Sequence, residues 1–397
     1  MILSACDGPT ADSGLVIDDT AVSDTGTPEP LPRESGEVLL DTPTWLGEAG
    51  DGMAAMTPVG AEIWLASAQR EDGAGAVCVA GELGPVEPCW TGRQANGFLG
   101  NQLLEFDGRL AAAAFWDGDS KGGAVFLLGS EGGGVDGATE WTGPSGAYAG
   151  TALERLDDRL VIGGIGGSGR VWVVDASGGA LGSAEVRFDG GENLGYFGVD
   201  VATGDVDGDG VKDLLVGAMG EDNGRGAAYL FFGPHEGTRD ALDADGYIAG
   251  ETAWTQTGKT VELGDLDGDG LKDLVLSESE ADTAHIFLGP GTSGVVSDHD
   301  AVVLGEGRFS FSMDAGDLDR DGTDDLVVGS TRYDESRGGA FLFYGPVEGS
   351  VEAADADWRL LGATASDKSG LWVGMFDHRL YVAGSGVSEG AGAVYAP

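Results

Sequence analysis

From residue 45 onward, short apolar runs alternate with polar, glycine-containing segments at the spacing of β-strands rather than helices. Seven times an apolar run is followed by a loop and then by a second run, as in 214–216 followed by 228–230. The second runs begin near residues 76, 124, 170, 227, 285, 340 and 393. A period of roughly 50 residues is typical of one four-stranded sheet per repeat, the blade of a β-propeller.

A spare strand is predicted at residues 37–40, before the first repeat, whereas the seventh repeat ends after its third strand. An open sheet edge invites aggregation, and pairing the spare strand with the last blade would remove that edge. The predicted fold class is therefore all-β: a seven-bladed β-propeller over residues 36–397, closed by an N-terminal strand and preceded by a disordered tether.

Three repeats carry an acidic loop directly before an apolar run, with Asp at loop positions 1, 3, 5 and 9 and Gly at position 6. A hard cation such as Ca²⁺ needs six or more oxygen ligands, which alternate carboxylates and a backbone carbonyl at position 7 can supply. Three Ca²⁺ sites are predicted. Their ligands are Asp205, Asp207, Asp209, Val211 and Asp213; Asp265, Asp267, Asp269, Leu271 and Asp273; and Asp317, Asp319, Asp321, Thr323 and Asp325.

Two other interpretations of these loops are possible. An EF-hand would place an acidic residue at position 12 and continue into a helix, whereas position 12 here is Val216, Leu276 or Val328. An Asp- and Gly-rich surface turn that binds no ion is the second alternative. Three copies with the same four Asp favour calcium loops between β-strands.

The chain is strongly acidic, with 68 Asp and Glu against 21 Lys and Arg and a formal net charge of −47. Such a surface repels nucleic acid and anionic lipid headgroups and suits a calcium-rich or saline exterior. The sequence contains no run of about twenty apolar residues, so no transmembrane helix is predicted. We expect a monomer that contacts a membrane only through an N-terminal lipid.

Residues 3–6, Leu-Ser-Ala-Cys, resemble the lipobox of bacterial lipoproteins, in which the cysteine, here Cys6, carries the lipid. Residues 1–6 are then the remnant of a signal, and residues 7–35 form an acidic disordered linker. The charged and apolar parts of a signal peptide do not precede them, so either the start lies upstream or the match is accidental. The expected location is the cell surface or the outer membrane.

The other two cysteines, Cys78 and Cys89, bracket a strand end and a turn. In an exported protein they would form a disulfide across a hairpin, and two free buried thiols are the alternative. Too few Cys and His lie near them for a four-ligand zinc site.

Gly195-Tyr196-Phe197-Gly198, followed by Gly204-Asp205 and by Gly217-Ala218, resembles the FG-GAP repeat of integrin α-subunit propellers and their bacterial relatives. The full pattern stands only in the fourth repeat. The fifth and sixth repeats keep the Asp loop, and the other four have no such ligands. The resemblance implies a propeller that binds extracellular partners, with calcium in hairpin loops on the face away from the ligand.

No constellation of catalytic residues stands out, because the four histidines are scattered and no nucleophile elbow is present. The predicted function is a calcium-binding extracytoplasmic propeller, not an enzyme, that binds an extracellular protein or glycan in an adhesion-like role. A structural surface module without a partner, or a glycan-active enzyme, is the alternative. A convergent acid/base pocket would favour the enzyme, and exposed aromatic and arginine side chains would favour binding.

The connections between second and third strands should emerge on the face opposite the calcium loops. They hold five of the 21 basic residues together with two aromatic side chains. Because Arg, Trp and Tyr are frequent anchors on loops of rigid scaffolds, we predict that a partner binds there, chiefly through Trp116, Arg225, Arg332 and Tyr333. Solvated charges that balance nearby acidic residues are the alternative for any one of them.

Overall fold

The computed structural model describes residues 36–40, 45–46, 53–60, 62–67, 73–80, 85–118, 120–191, 195–289, 293–385 and 393–395. The predicted signal remnant with Cys6 and the predicted linker at 7–35 lie outside these residues. Within them, β-strands form a ring of sheets around a common axis, and the first strands of neighbouring sheets contact one another along that axis. The prediction of an all-β propeller is confirmed.

Six of the sheets are blades of five strands, which are named in order from the axis outward. Blade I consists of β3 (Met53–Val59), β4 (Glu62–Ser67), β5 (Ala76–Ala80), β6 (Pro85–Thr91) and β10 (Gly133–Gly134). Blade II consists of β7 (Leu103–Phe106), β8 (Arg109–Ala114), β9 (Ala124–Leu128), β11 (Thr139–Thr142) and β15 (Gly179–Ala180). Blade III consists of β12 (Ala149–Leu156), β13 (Arg159–Gly164), β14 (Arg170–Val174), β16 (Val186–Asp189) and β20 (Thr238–Asp240).

The other three five-stranded blades contain the Asp loops. Blade IV consists of β17 (Phe197–Gly204), β18 (Asp213–Ala218), β19 (Ala227–Phe231), β21 (Gly246–Ala249) and β25 (Ser293–Val295). Blade V consists of β22 (Thr257–Gly264), β23 (Asp273–Glu278), β24 (Thr283–Phe287), β26 (Ala301–Leu304) and β30 (Gly349–Glu352). Blade VI consists of β27 (Ser312–Gly316), β28 (Asp325–Ser330), β29 (Gly339–Phe343), β31 (Trp358–Gly362) and β1 (Gly36–Leu40).

The fifth strand of each blade belongs to a neighbouring repeat. In blade IV, β25 comes from the segment that leads into the fourth strand of blade V, and it pairs in parallel with β21. The same parallel pairing joins β20 to blade III and β30 to blade V. Each blade is thereby tied to the next one by main-chain hydrogen bonds as well as by side-chain packing.

The remaining sheet, the closing sheet, has four strands and lies between blades VI and I. It consists of β32 (Ser369–Phe376), β33 (Arg379–Gly384), β34 (Ala393–Tyr395) and β2 (Trp45–Leu46). Its two outer strands are three and two residues long, so within the described residues it is smaller than the six blades.

The prediction of seven like blades closed by residues 37–40 is therefore wrong, and the described chain has six blades plus the smaller closing sheet. β1 does not pair with the last repeat but lies parallel to β31 in blade VI. β2 instead pairs antiparallel with β34. The sequence period reflects the second and third strands of each repeat. It does not show that the segment before each fourth strand pairs with the preceding blade.

Short helical segments occur only in connections among the described residues. They are 3-10 helices at Leu181–Ser183, Ala241–Asp243, Val296–Asp298 and Ala353–Asp355, and four-residue helical turns at Glu221–Gly224 and Tyr333–Ser336. None of the helices in the described part of the chain is long and apolar enough to cross a membrane.

The hydrophobic core is divided among the interfaces between neighbouring sheets. Between blades III and IV, for example, Phe188, Phe197 and Phe231 are buried against one another. Burying aromatic side chains of this size contributes much of the favourable energy of such an interface. This packing holds the loops at the two ends of the ring in fixed positions.

The two faces of the ring carry different connections. The upper face carries the loops between second and third strands and the loops between blades, which hydrogen-bond to each other, as Gln256 N–H does to the Gly224 carbonyl at 2.9 Å. The lower face carries the Asp loops, between the first and second strands of blades IV, V and VI.

Candidate metal centre

Each Asp loop ends where the second strand of its blade begins. Position 9 is the first residue of that strand, namely Asp213 in β18, Asp273 in β23 and Asp325 in β28. Position 12 lies inside the strand in all three blades, so the EF-hand alternative is excluded. The prediction of acidic loops between β-strands is confirmed.

The position-9 carboxylates are buried and tie each loop to the next connection on the lower face. Asp213 Oδ2 accepts a hydrogen bond from Val206 N–H at 2.8 Å, and its Oδ1 accepts one from Gly233 N–H at 3.0 Å. Asp273 and Asp325 accept the equivalent pairs of bonds. Burial outweighs these bonds and raises the pKa of Asp213, and raises the pKa of Asp273 and Asp325 to about 6.

The carboxylates at positions 1, 3 and 5 shape the turn itself. In blade IV, Asp205 accepts hydrogen bonds from Gly208 N–H at 2.7 Å and from Gly210 N–H at 2.9 Å. Asp207 and Asp209 each accept one from the backbone N–H two residues on. Gly208 and Gly210 have positive φ values, 79° and 83°, which glycine adopts without the steric penalty of a Cβ. The loop therefore holds several carboxylates close together.

In every loop, three carboxylates have oxygens that all lie within 4.8 Å of one another. The groups are Asp205, Asp207 and Asp213; Asp265, Asp267 and Asp269; and Asp317, Asp319 and Asp325. Such an oxygen-only set is the donor chemistry that a hard divalent cation prefers. Asp209, Asp273 and Asp321 stand outside these groups of three, and the carbonyl ligands Val211, Leu271 and Thr323 stay a prediction.

One atom supports a cation independently of the clustering. Asp265 Oδ1 is buried and has no hydrogen-bond partner, whereas Oδ2 of the same carboxylate accepts from Gly270 N–H at 3.0 Å. A buried carboxylate oxygen without a partner is costly, and a cation held among Asp265, Asp267 and Asp269 would satisfy it. The residues present therefore fit a bound cation.

Neighbouring Asp loops are connected directly. Lys272 N–H donates to the Asp205 carbonyl at 3.0 Å, and Asp324 N–H donates to the Asp265 carbonyl at 2.8 Å. The Asp324 carboxylate accepts from Asp265 N–H at 2.8 Å and also pairs with the Lys272 ammonium. The three loops thus form a continuous row on the lower face, in which each loop contacts the next.

Cys78 and Cys89 form a disulfide, as predicted for an exported chain. They face each other across β5 and β6 of blade I. The two-thiol alternative is excluded.

The four residues predicted to bind a partner are dispersed over the upper-face loops. Trp116 is 37% exposed, contacts Tyr148 and has the Lys121 ammonium 4.2 Å from its ring centroid. Arg225 and Arg332 are exposed. Tyr333 differs from the other three, since it is half-buried and its ring packs edge-on against Phe341 in the core between blades V and VI.

Sequence reasoning missed two exposed aromatic residues on the same face. Trp254 is 72% exposed and Tyr196 is 45% exposed, and both precede the first strand of a blade. Tyr196 packs over Gly220 and Trp254 over Gly224, so the two rings flank the loop 220–224 of blade IV. The sequence held a signal for Tyr196, because this residue directly precedes the Phe-Gly pair of its repeat. The two residues were missed because the predicted binding face was defined only by the loops between second and third strands.

Comparisons with known proteins agree with this architecture. The FG-GAP repeat profile matches residues 197–231, and the FG-GAP-like repeat profile matches residues 265–328. Integrin alpha-5 of Xenopus laevis is 30% identical over 171 residues, and integrin alpha-IIb of Homo sapiens is 34% identical over 167 residues. The matched segments cover 37% and 36% of this chain, and the chain spans only 16% of each relative.

The matched region coincides with the part of the ring that contains the acidic loops. Phe197, Gly198 and the loop that follows them are the Phe-Gly and Asp elements of the repeat, and here they form β17 and the first acidic loop of the lower face. Profile matches, relatives and fold agree: the chain contains FG-GAP repeats over residues 197–231 and 265–328, carries them on a β-propeller, and is similar over part of its length to integrin α subunits.

Proposed function

We propose that the chain is a calcium-binding, adhesion-type propeller that is displayed outside the cytoplasm and binds an extracellular protein or glycan through its upper face. Calcium is the preferred cation because each loop offers several carboxylates and no nitrogen or sulfur ligand. Mg²⁺ usually takes only one or two carboxylates and keeps its waters. The integrin names of the relatives support an extracellular location.

The observation that carries the binding proposal is the exposure of large aromatic rings on one face. Trp254, Tyr196 and Trp116 all lie on upper-face loops, held by backbone hydrogen bonds of a rigid ring. A surface aromatic ring that packs against the protein on one side leaves its other side available to a partner. Binding through such a ring has a low cost in conformational entropy. The polar loop between Tyr196 and Trp254 adds hydrogen-bonding groups, including the exposed side chains of Asp222 and Asn223.

Calcium binding is tested by titrating the chelated protein with Ca²⁺ in a calorimeter. Three sites are expected, with Asp207→Ala losing one of them. A cation that binds only the native state stabilises it by about 2.7 kcal/mol at a hundred times its dissociation constant. Three intact sites in Asp207→Ala, or an EDTA-treated protein that melts at the same temperature as the loaded one, would contradict the assignment.

Partner binding is tested by a glycan array and by pull-down on surface extracts, with and without calcium. A variant with Trp116, Tyr196, Trp254 and Arg332 replaced by Ala should lose binding while keeping its calcium affinity and melting temperature. Tyr333 stays in place because its ring packs into the core. The control is Leu242→Ala, which removes an 86% exposed apolar side chain from the connection before β21, away from the upper face. Loss of binding in the control, but not in the upper-face variant, would refute this assignment of faces.

A further inference from the structure

Blade V contains a buried carboxylate and a buried imidazole where blade IV has an alanine and a tyrosine. In blade IV, Phe197 lies opposite Ala218, and Tyr229 lies on the next strand. The equivalent residues of blade V are Thr257, Glu278 and His285. All three are buried, with His285 only 6% exposed. A buried carboxylate beside a buried imidazole is costly unless each finds a partner, so their contacts show what the cluster does.

The contacts form a chain that ends in the 3-10 helix before the fourth strand, β26. Glu278 Oε2 lies 3.1 Å from His285 Nε2, and His285 Nδ1 lies 3.0 Å from Nδ1 of the half-buried His299. His299 Nδ1 also lies 2.8 Å from the carbonyl oxygen of Val296, in the 3-10 helix before β26. Two imidazole nitrogens at this distance must share one hydrogen, since one has to donate and the other to accept.

The partners determine which nitrogen carries the hydrogen. The Val296 carbonyl only accepts, so His299 Nδ1 carries a hydrogen, which it shares between that oxygen and the lone pair of His285 Nδ1. His285 therefore carries its own hydrogen on Nε2 and donates it to the Glu278 carboxylate. Burial opposes ionisation of Glu278, but hydrogen bonds from His285 and two threonines more than offset it and lower the pKa of Glu278. The carboxylate therefore stays ionised beside His285.

We propose that His285 and His299 form a pH-sensitive latch, which ties the segment before β26 to β24 in blade V and opens when both imidazoles are protonated. A first extra proton is compatible with the closed arrangement, because it enters at His299 Nε2 and leaves both contacts of Nδ1 intact. A second one would have to enter at His285 Nδ1. It would then place two N–H donors and two positive charges face to face at 3.0 Å.

Other charged groups around the pair do not remove this conflict. Glu278 faces the far side of the His285 ring and can accept only from Nε2. Asp298 and Asp300 accept from the backbone N–H groups of Val295 and Leu288, and Glu251 accepts from Ser297 N–H. Relief therefore requires the two rings to move apart, which releases the segment before β26 from β24.

The sign of the pH effect follows from counting protons. Two separate imidazoles can each bind an extra proton in acid, whereas the closed pair has room for only one, because its two Nδ1 atoms share one hydrogen. The unfolded state then binds more protons in acid, so the stability that the closed pair contributes is lost as the pH falls. The folding equilibrium constant should fall about tenfold per pH unit through this pair.

The experiment is urea unfolding of the wild-type protein and of His299→Asn between pH 5 and pH 8, in excess calcium. An Asn amide can still donate to Val296 while its oxygen accepts from a protonated His285, so the conflict disappears. Below pH 6, the folding equilibrium constant of the wild type should fall by an additional factor of about ten per pH unit compared with that of His299→Asn. Parallel curves for the two proteins would overturn the proposal.

A second measurement needs no variant. Nitrogen-15 spectra of the native protein should show one of the two imidazoles still neutral at pH 5.5, and amide exchange should rise over residues 293–304 as the pH falls further. Two fully charged imidazoles in a native protein whose exchange is unchanged would equally refute the latch.

Discussion

The backbone N–H of Val261 in blade V donates a hydrogen bond to the carboxylate of Asp200 in blade IV, at 3.0 Å. This bond crosses between two blades at the axis of the ring. In the same way, Met375 N–H of the closing sheet donates to Asp314 of blade VI. Asp200 and Asp314 belong to a set of four carboxylates that the first strands of blades III to VI bring toward the axis: Glu154, Asp200, Glu262 and Asp314.

Replacing Asp200 by Asn should stabilise the protein strongly at pH 8, less at pH 5, and little below about pH 4. Burial is the main cause that raises the pKa of Asp200 to about 7, against the lowering effect of the Val261 hydrogen bond. A carboxyl whose folded pKa is raised stabilises the fold in acid, and that stability is lost as the pH rises from about 4 to 7. Asn keeps an acceptor for Val261 without the charge.

The gain for Asp200→Asn should be roughly 3 kcal/mol larger at pH 8 than at pH 5, measured as the unfolding free energies of the variant and the wild type at the two pH values. Asp158→Asn serves as the control, because it removes the same charge from an exposed turn. Equal shifts in the two variants would show that net charge, rather than the buried carboxyl, sets the pH dependence.

The aspartates at positions 9 and 3 of one loop should contribute to stability under different conditions. Asp213→Ala leaves two backbone N–H groups without an acceptor, the buried one of Val206 and the half-buried one of Gly233, so it should destabilise by roughly 2–4 kcal/mol even in EDTA. Asp207 is exposed and accepts only from Asp209 N–H, so Asp207→Ala should destabilise mainly in calcium. Thermal melts of both variants in each buffer measure the difference, and equal losses in EDTA would contradict it.

The sequence predicts the local features of this fold well and its long-range pairing poorly. The Asp spacing and the strand that follows each loop depend on contiguous residues, so Asp213, Asp273 and Asp325 fall where the pattern places them. The fifth strands of the blades, in contrast, carry no local pattern that predicts them. β15, for example, is the dipeptide Gly179–Ala180, which shows no alternation of apolar and polar residues. Its strand geometry comes from pairing with Trp141 and Thr142, not from its own side chains.

The Asp loops of the candidate site were predictable because their residues are contiguous. Contacts between residues that are distant in the sequence were not predictable. Nothing in sequence spacing indicates that His285 in β24 and His299 in the connection before β26, fourteen positions apart, share a hydrogen. Tyr333 shows the opposite error, since its polar loop predicts an exposed ring, whereas the ring packs against Phe341. Burial of a loop residue depends on which interface lies beneath it.

Reduction of the Cys78–Cys89 disulfide should destabilise the folded ring. The bond closes a loop with a sequence separation of 11. A loop of this length is worth about 3 kcal/mol in the chain-entropy model, because the bond restricts the unfolded chain. Urea unfolding of the Cys78→Ser and Cys89→Ser double variant, compared with the oxidised protein, measures this loss. Addition of reductant to the double variant should change nothing, and a further loss there would point to an effect elsewhere.

The last prediction concerns how the ring closes. β1 covers the outer strand of blade VI, where Leu40 is buried with Trp358 and Leu360. Leu40→Ala removes a buried side chain and should cost roughly 3 kcal/mol. Gly36→Val should also destabilise, because a Cβ at Gly36 would lie 2.4 Å from the ring of Trp358. Glu37→Ala is the matched control on the same strand, since it removes only an exposed ion pair with Arg359 at 3.1 Å.

Truncation separates the two N-terminal strands. A chain that begins at residue 36 retains both strands, one that begins at residue 43 loses β1 alone, and one that begins at residue 47 also loses β2. Stability should fall at each of the two steps, because blade VI first loses its fifth strand and the closing sheet then loses its outer strand. Closure by residues 37–40 against the last repeat would predict the whole loss at the first step. Equal unfolding free energies for the chains beginning at 43 and 47 would therefore contradict the role given to β2.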